Sequence, residues 1–444
     1  MKTLAAQIKS HEKIISIYGL GNVGGAIAAT WLKHGAKIIG VDISEKLLTE
    51  IRLGSSHRKE PFVSNIFSKS IKKGHLILTS NGKEASRNSH IKIIVVPVAI
   101  KNNKSDLSIV ISVCKIIASG LKKGDAVILS PSVPPGTTEK IVLPLLEKIS
   151  KLKGGKDFFL VYNPERIFEG RAIEDIEKNY PAIIAGLNKP SQEFGKSLLE
   201  IISRKGVIMM PNLATAEAEK LFEGVYRDVN IALANQLAEY CSKIGINYWE
   251  ARKAANSQPF CNLHYPGTGV GGLCIPIYPK IIIESSKIVG KPLKLLEFSR
   301  MINDKMPIQC VSKSIEILKN NGKKYRGATI AILGLGFRGE VTDKRLSPTY
   351  EVVNQFLKYN CTIRVHDPYI LEDDELPKSV KLSMKLSIVT KDADLIFIAT
   401  DHKEYTKLTK SSFKNCKKPI LIFDGRNILN QNNFKNISLF TIGK

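Results

Sequence analysis

Short apolar runs alternate with helix-like stretches through the first half of the chain. Such runs, bounded by polar residues or glycine, predict buried strands of a parallel sheet, and the stretches between them predict the helices of βαβ units. The clearest helical stretch is Gly24–His34. The predicted strands are Ile14–Tyr18, Lys37–Asp42, Leu76–Thr79, Ile91–Pro97, Ala126–Ser130 and Phe158–Asn163.

The middle of the chain has a different pattern. From Thr215 to Gly245 apolar residues recur every three or four positions, which predicts one long helix. Helical pattern continues through Trp249–Ala255, a loop rich in Gly and Pro covers Pro266–Pro279, and helix resumes near Lys280. These features predict a helical middle domain.

Strand–helix alternation returns near Ala328 and continues towards the end of the chain. It predicts a second, smaller α/β domain. The chain is therefore expected to contain two α/β domains that flank a helical connector. The strands predicted in the second domain are Thr329–Leu333, Thr362–His366, Leu395–Ala399 and Ile420–Asp424.

The charge of the chain raises the question of nucleic acid. The 444 residues include 66 Lys and Arg against 41 Asp and Glu, a net charge of +25. The lysines are spread along the chain without zinc-finger spacing or an aromatic-rich binding motif, so nucleic acid is a minor alternative. A polyanionic small substrate explains the charge with fewer assumptions.

Two further classes are disfavoured by composition. No apolar run reaches the roughly 20 residues that span a bilayer, and the first residues lack the apolar block of a signal peptide, so we expect a cytoplasmic protein without a membrane partner. Seven cysteines occur without a CxxC pair, which argues against a disulfide framework and against a metal site.

The first predicted strand leads directly into a glycine loop with the spacing of a dinucleotide fingerprint. It consists of Gly19, Leu20, Gly21, Asn22, Val23 and Gly24. The glycines permit a tight turn, close approach to a pyrophosphate and close helix packing. Asp42, at the end of the next strand, can bind the adenosine ribose, which favours NAD over NADP. The alternative is a tight turn that binds nothing.

A second glycine loop, Gly334–Gly339, follows the strand Thr329–Leu333. Charged residues, Arg338 among them, stand where a closely packed helix would need small apolar residues. A cationic loop suits a second pyrophosphate, such as that of a UDP-sugar. Asp367 repeats the acid at a strand end. A degenerate structural copy is the alternative for this domain.

The loop Pro266–Pro276 places four glycines before Cys274. Such a loop lets backbone approach a ligand and leaves the thiol accessible. In a dehydrogenase, a thiolate can capture an aldehyde as a thiohemiacetal, which a second hydride transfer converts to a thioester. For the other six cysteines a buried, structural position is favoured.

Several segments together resemble the UDP-glucose/GDP-mannose dehydrogenase family. The resemblance implies two Rossmann-like domains joined by a central helical domain, with limits at 1–210, 211–306 and 307–444. It also implies an NAD-dependent, two-step oxidation of a sugar C6 alcohol to a carboxylate by a homodimer or a dimer-based oligomer. The family-like segments are Gly19–Gly24, Ser132–Thr138, Asn163–Arg166, Glu217–Asn235, Pro266–Pro276, Ile332–Pro348 and Asp424–Asn427.

The resemblance assigns the catalytic residues. Cys274 is expected to be the nucleophile, and Lys220, in the long helix, to stabilise oxyanionic intermediates. Glu165 is expected to position water or relay protons. Ser132 stands where the family usually has Thr and keeps the hydroxyl.

The same resemblance implies the binding residues. Pro97, Ser132 and Arg345 join the first glycine loop and Asp42 as cofactor ligands, and Arg338 replaces a substrate-binding Lys. The expected substrate-binding residues are Lys220, Tyr265, Gly269, Gly271, Phe337 and Arg338.

Three positions depart from the family pattern. Gly224 replaces an Asn of the long helix, Tyr278 replaces an Asp four residues after the cysteine, and Leu273 stands where His is frequent. These changes indicate either a subgroup with altered polar support or impaired hydrolysis of the thioester. They also motivate the alternative of a non-enzymatic, nucleotide-sugar-binding homologue.

The segment Asn163–Gly170 resembles the Pro-Glu-Arg-x-x-x-Gly form of the acetylamino-sugar branch. Tyr226–Asn235 and Val270–Pro276 resemble the same branch. The favoured substrate is therefore UDP-N-acetylmannosamine, followed by UDP-N-acetylglucosamine and then UDP-glucose.

Overall fold

The computed structural model describes residues 2–57, 60, 62–101, 104–435 and 437–444. The chain forms two compact units, and each is described by itself. The first unit comprises Met1–Phe222 with Lys280–Val289, and the second comprises Glu223–Pro279 with Gly290–Lys444. The three domain limits expected from the sequence remain a prediction.

Apart from two short π-helices, Thr138–Val142 and Asp175–Asn179, and two helices shared with the second unit, the first unit contains ten strands and nine helices among the described residues. In chain order they are α1 (Leu4–Lys9), β1 (Ile15–Tyr18), α2 (Asn22–Lys33), β2 (Ile38–Val41), α3 (Glu45–Arg52), α4 (Val63–Lys72), β3 (Leu76–Thr79), α5 (Gly82–Arg87), β4 (Ile91–Ile94), β5 (Ala99–Lys101), β6 (Lys104–Asp106), α6 (Ser108–Ala118), β7 (Ala126–Leu129), α7 (Leu143–Ser150), β8 (Phe159–Tyr162), α8 (Ala172–Glu174), β9 (Ala182–Gly186), α9 (Lys189–Leu199) and β10 (Val207–Met209).

Eight of these strands form one sheet in the order β10-β9-β8-β7-β4-β1-β2-β3. All neighbouring pairs are parallel except β8 and β9, which are antiparallel. Strands β1, β2, β4 and β7 are buried on both faces, as expected for a sheet covered by helices on each side. The predicted parallel sheet is confirmed, whereas β9 and β10 were not anticipated.

Two helices cross the boundary between the units, and the remaining elements belong to the second unit. The crossing helices are α10 (Leu213–Ile244) and α12 (Tyr278–Ile288); the elements of the second unit are α11 (Tyr248–Ala255), α13 (Lys294–Asn320), β11 (Thr329–Leu333), α14 (Pro348–Lys358), β12 (Thr362–His366), β13 (Lys381–Ser383), α15 (Leu386–Thr390), β14 (Leu395–Ile398), β15 (Leu421–Asp424) and β16 (Ser438–Thr441).

The second unit is built on a six-stranded parallel sheet in the order β13-β12-β11-β14-β15-β16. Its core continues into the helices, because Ala234 and Ala238 of α10 pack in one buried cluster with Val311 and Ile315 of α13. The two α/β sheets and the 32-residue helix α10 confirm the predicted fold class.

Three further observations concern membrane spans, metal ligands and cysteines. None of the helices in the described ranges is long and apolar enough to cross a membrane. Within the same ranges no group of three or more His, Cys, Asp or Glu side chains could hold a metal ion. All seven cysteines are free thiols.

Candidate active site

Five of the candidate site residues follow neighbouring strands of the first sheet. Gly19 follows β1, Asp42 follows β2, Pro97 follows β4, Ser132 follows β7 and Glu165 follows β8. These strands are adjacent and parallel, so their carboxyl ends lie along one edge of the sheet. That edge is where open α/β sheets bind their ligands.

The first glycine loop has the geometry of a phosphate cradle. Gly19 has a φ of +96°, and a Cβ on Gly24 would lie 1.9 Å from the carbonyl oxygen of Gly19. A Cβ on Gly21 would have no atom within 4 Å, so this part of the loop faces open space. Helix α2 begins at Asn22, two residues before the predicted start. The cradle therefore fits a dinucleotide pyrophosphate at a helix N-terminus.

Asp42 fastens the same loop while remaining partly exposed. Its Oδ2 accepts a hydrogen bond from the N–H of Leu20 at 2.8 Å, and its Oδ1 accepts one from Ser44 at 2.9 Å. A carboxylate has about four lone-pair positions. The remaining capacity fits the ribose hydroxyls that the sequence assigned to Asp42.

His57 contacts the glycine loop and was not anticipated from the sequence. Its Nε2 lies 2.8 Å from the carbonyl oxygen of Leu20 and 3.2 Å from that of Gly21. Carbonyl oxygens only accept, so Nε2 must carry the proton. A Cβ on Gly25 would lie 2.3 Å from this nitrogen, so the ring needs glycine at position 25.

The two carbonyls that His57 contacts belong to the peptide groups that carry the N–H of Gly21 and of Asn22. In a planar trans peptide the C=O and N–H point in opposite directions. Holding the two carbonyls on one side therefore turns both N–H groups to the other side. We infer that His57 orients the donors of the phosphate cradle.

The loop Ser132–Thr138 is tied to helix α10 by Glu217, a second residue that sequence reasoning missed. Glu217 is fully buried and accepts hydrogen bonds from the backbone N–H of Gly136 and from the N–H and hydroxyl of Thr138. Burial raises the pKa of Glu217 above its ordinary value, although these hydrogen bonds oppose the shift. The loop that carries Ser132 is thus fixed to the helix that carries Lys220.

Lys220 lies one turn after Glu217 on α10, so the two side chains share a face of the helix. It is only 6% exposed, which is rare for lysine. A solvated lysine on a helix surface is therefore excluded, and the catalytic role of Lys220 remains a prediction.

Glu165 is partly buried at the carboxyl end of β8. Its Oε2 accepts a hydrogen bond from the N–H of Ile167 at 3.2 Å, which orients the carboxylate. The side chain lines a cavity of about 70 Å³ together with Ser130 and Asn163. The volume of the cavity exceeds that of one water molecule.

The cysteine loop belongs to the second unit. Cys274 is exposed, and its carbonyl accepts hydrogen bonds from the N–H groups of Ile277 and of Tyr278, the first residue of helix α12. Of the other cysteines, Cys261 is partly exposed and five are buried. The accessible thiol expected from the sequence is therefore found at Cys274.

The cysteine loop packs against the second glycine loop at close range. A Cβ on Gly271 would lie 2.6 Å from the Cβ of Phe337, and a Cβ on Gly269 would lie 2.9 Å from Pro348. The N–H of Gly272 donates to the carbonyl of Arg345 at 3.0 Å. Gly269, Gly271 and Phe337, all expected to bind substrate, are therefore brought together.

The second glycine loop lacks the geometry of a dinucleotide cradle, which agrees with the sequence interpretation. The next helix, α14, begins only at Pro348. Asp367 is fully buried and accepts four backbone N–H groups, those of Leu335, Gly336, Tyr369 and Ile370. Burial would raise the pKa of Asp367, but the hydrogen bond from His402 and the backbone bonds hold it below its ordinary value. Asp367 is thus a structural anchor.

The remaining candidate site residues of the second unit, Arg338, Arg345 and Tyr265, are partly or fully exposed. Arg338 is partly exposed, with its guanidinium 5.9 Å from the Phe337 ring centre. Arg345 is more exposed and forms a bidentate ion pair with Asp343. Tyr265 is exposed and carries the guanidinium of Arg252 3.7 Å above its ring.

Arg426 joins this group without having been predicted as a site residue. Its Nε donates to the carbonyl of Ala399 at 2.9 Å, and its Nη2 donates to that of Phe337 at 3.3 Å. A Cβ on Gly267 would lie 2.9 Å from its Nη1. Arg426 therefore braces the cysteine loop and the second glycine loop.

Three family profiles match the chain in succession. They describe the UDP-glucose/GDP-mannose dehydrogenase family as an NAD binding domain over residues 13–203, a central domain over 214–305 and a UDP binding domain over 331–431. A UDP-N-acetyl-D-mannosamine dehydrogenase from Pyrococcus horikoshii is 32% identical over 418 residues, which cover 94% of this chain and 96% of that protein.

The chain belongs to the UDP-glucose/GDP-mannose dehydrogenase family. A solved UDP-D-ManNAc dehydrogenase from the same organism superposes with a TM-score of 0.89 at 31% identity, covering 97% of this chain and 99% of that one. A UDP-N-acetyl-mannosamine dehydrogenase from Staphylococcus aureus gives a TM-score of 0.85 at 29% identity, covering 97% and 98%.

Membership in the UDP-glucose/GDP-mannose dehydrogenase family confirms the resemblance seen in the sequence. The chain is an NAD-dependent oxidoreductase that acts on nucleotide sugars. The individual site residues remain predictions, and the geometry above indicates which of them lie together within each unit.

Replacing His57 tests the cradle directly. We expect His57→Ala to raise the KM for NAD about threefold to tenfold, because one hydrogen bond of ~1 kcal/mol that orients the donors is lost. The KM for the sugar should change little. Steady-state kinetics with each substrate varied in turn measures both constants.

His57→Gln, which retains an N–H donor, should recover part of the affinity for NAD, and His11→Ala serves as a matched control away from the loop. An equal rise in both Michaelis constants, or no rise at all, would count against a specific action of His57 on the cradle.

Proposed function

We propose that the chain oxidises the C6 alcohol of a UDP-N-acetylhexosamine, most specifically UDP-N-acetylmannosamine, to the uronic acid in two NAD-dependent steps. The observation that carries the proposal is the exposed Cys274 on a glycine loop packed against the second glycine loop. The relatives named above act on this sugar, and the segment Asn163–Gly170 has the acetylamino-sugar form.

The cofactor is proposed to bind along the edge of the first sheet. The residues from Gly19 to Gly24 hold the pyrophosphate, Asp42 holds the adenosine ribose, and Pro97 and Ser132 border the nicotinamide end. NAD supplies the hydride acceptor in both oxidations. Arg345 is proposed to add a positive charge near the pyrophosphate.

Cys274 is proposed to form the covalent intermediates. After the first oxidation its sulfur adds to the aldehyde carbon, and a C–S bond replaces the C=O π bond. Loss of a hydride and a proton then gives the thioester. Water forms the new C–O bond, the C–S bond breaks, and the acid leaves while Cys274 is restored.

Lys220 and Glu165 are proposed to support these steps. A buried ammonium stabilises the oxyanion of the addition intermediates more strongly than a solvated one, because low dielectric strengthens the interaction. Glu165, oriented by the N–H of Ile167, is proposed to accept a proton from the attacking water.

The UDP-sugar is proposed to bind through the second unit. Arg338 provides charge for the pyrophosphate, and Phe337 packs beside Gly269 and Gly271 of the cysteine loop. Tyr265 contributes an exposed aromatic face. Lys220 is proposed to contact the sugar as well as the intermediates.

The covalent mechanism predicts the stoichiometry and the effect of removing the thiol. The wild-type enzyme should form two NADH for each sugar oxidised, and Cys274→Ala should form no acid, because the aldehyde cannot be captured. NADH absorbance and chromatographic detection of the uronic acid measure the two quantities. Cys261→Ala, which removes the other accessible thiol, should retain activity. Undiminished acid formation by Cys274→Ala would exclude this mechanism.

The sugar specificity is tested by a panel of UDP-N-acetylmannosamine, UDP-N-acetylglucosamine, UDP-glucose and GDP-mannose. We expect the highest kcat/KM with UDP-N-acetylmannosamine, measured as NADH formation. A preference for UDP-glucose would retain the enzyme class and overturn the substrate. NADH formation with none of the four would favour a nucleotide-sugar-binding homologue instead.

We further propose that the protein acts in the cytoplasm as a homodimer or a dimer-based oligomer. Large apolar side chains are exposed at helical spacing on α10, which suits an interface between copies. The exposed residues are Tyr226, Leu233, Tyr240 and Ile244 on α10, with Leu295, Phe298, Met301 and Ile308 on α13.

Sedimentation equilibrium should give a dimer or a multiple of it at micromolar concentration, and Leu233→Glu should weaken the association by placing a charge in the interface. A monomer at all concentrations would contradict this assembly.

A further inference from the structure

Two positions at which the chain departs from its family are in direct contact. A Cβ on Gly224 would lie 2.6 Å from Cδ2, 3.0 Å from Cβ and 3.1 Å from Cγ of Tyr278. These atoms belong to the rigid base of the Tyr278 side chain and cannot move aside cheaply. Only glycine at 224 therefore leaves room for this ring.

Glycine inside a helix is otherwise unfavourable, since it has the highest backbone entropy to lose. Gly224 lies in the interior of the 32-residue helix α10 and is buried. Helical propensity therefore does not explain a glycine at position 224. The contact with Tyr278 explains it, because the ring occupies the space that a larger side chain at 224 would fill.

The hydroxyl of the buried Tyr278 ring contacts the sulfur of Cys274, the proposed nucleophile. The side chain is only 6% exposed, and its hydroxyl donates to the Sγ of Cys274 at 3.4 Å. The N–H of Tyr278 also donates to the carbonyl of Cys274 at 2.9 Å. The two residues are four apart, so one turn of chain fixes both contacts.

We propose that Tyr278 is a catalytic residue that donates a hydrogen bond to the sulfur of Cys274, and that Gly224 is the residue that makes room for it. This inference rests on the proposed function of Cys274 as the nucleophile. It assigns the departing thiolate, rather than the attacking water, as the group that Tyr278 stabilises.

The chemistry places this contact at the hydrolytic step. A hydrogen bond to an ionised acceptor is about twice as strong as one to a neutral acceptor. The sulfur is neutral in the thioester and gains the electron pair of the C–S bond as that bond breaks. The water oxygen remains in the acid, one water proton returns to the sulfur, and the other is released when the acid ionises. The hydroxyl of Tyr278 therefore favours the product side of C–S cleavage.

Tyr278→Phe tests the inference in rapid-mixing experiments with saturating NAD and UDP-N-acetylmannosamine. We expect a burst of two NADH per active site at the wild-type rate, followed by steady turnover slowed about tenfold or more, because the leaving sulfur has lost a charge-assisted donor. Intact-mass analysis after acid quenching should show the sugar acyl group on the protein. Tyr359→Phe, a matched change away from the site, should behave as wild type.

A merely structural role of Tyr278 would lower the burst amplitude or its rate together with turnover. Unchanged steady turnover of Tyr278→Phe, or the absence of an accumulated thioester, would overturn the inference. If wild type itself forms no NADH with any sugar of the panel, the proposed function fails and not this inference alone.

Gly224→Ala provides a second test that keeps the hydroxyl and remains informative if Tyr278→Phe does not fold. Its Cβ should displace the ring and produce the same burst followed by slow turnover. Combined with Tyr278→Phe it should slow turnover no further, since the same contact is already lost. Full activity of Gly224→Ala, or independent and multiplicative losses in the double variant, would contradict the proposed pairing.

Discussion

Close contact between a glycine and a neighbouring group recurs at three points of the candidate site. The Gly19 carbonyl occupies the space next to the Cα of Gly24. The His57 ring occupies the corresponding space at Gly25, and the Phe337 side chain occupies it at Gly271. In each case an added Cβ would lie less than 3 Å from the contacting atom. The missing Cβ thus determines how near two chain segments can approach. Precise placement of catalytic groups requires supporting contacts of this kind.

The two sheets use one device for two purposes. In each sheet, an Asp at the end of the second strand of a βαβ unit accepts a hydrogen bond from the glycine loop, from the N–H of the residue that follows the first glycine. Asp42 accepts from Leu20 at 2.8 Å, and Asp367 accepts from Leu335 at 2.8 Å. Asp42 remains partly exposed, with acceptor capacity for a ligand. Asp367 is closed in by four backbone donors and by His402, and the charged side chain of the second glycine loop is the partly exposed Arg338. A shared local fold therefore yields two kinds of nucleotide site.

The regular elements were predictable because their signal is local. The strands Leu76–Thr79, Thr329–Leu333 and Thr362–His366 have the predicted bounds, and α10 differs from its prediction by two residues at its start and one at its end. Strand β10 is only three residues long, which gives periodicity little to act on. The family resemblance indicated Cys274 and Lys220 as site residues. His57 and Glu217 could not be found in this way, since their importance arises only from contacts with loops more than 30 residues away.

The contact between Gly224 and Tyr278 changes the interpretation of the two positions at which a polar side chain expected from the family pattern is missing. Taken separately, each removes a polar side chain that the family carries near the cysteine. Together they fill one volume, because the ring of one residue takes the space vacated by the other. A Tyr at 278 with a larger residue at 224 would be overpacked, and Gly224 without the ring would leave a cavity; both conditions are destabilising. The pair is therefore coupled, and the hydroxyl of Tyr278 places a hydrogen-bond donor on the Sγ of Cys274, the proposed nucleophile.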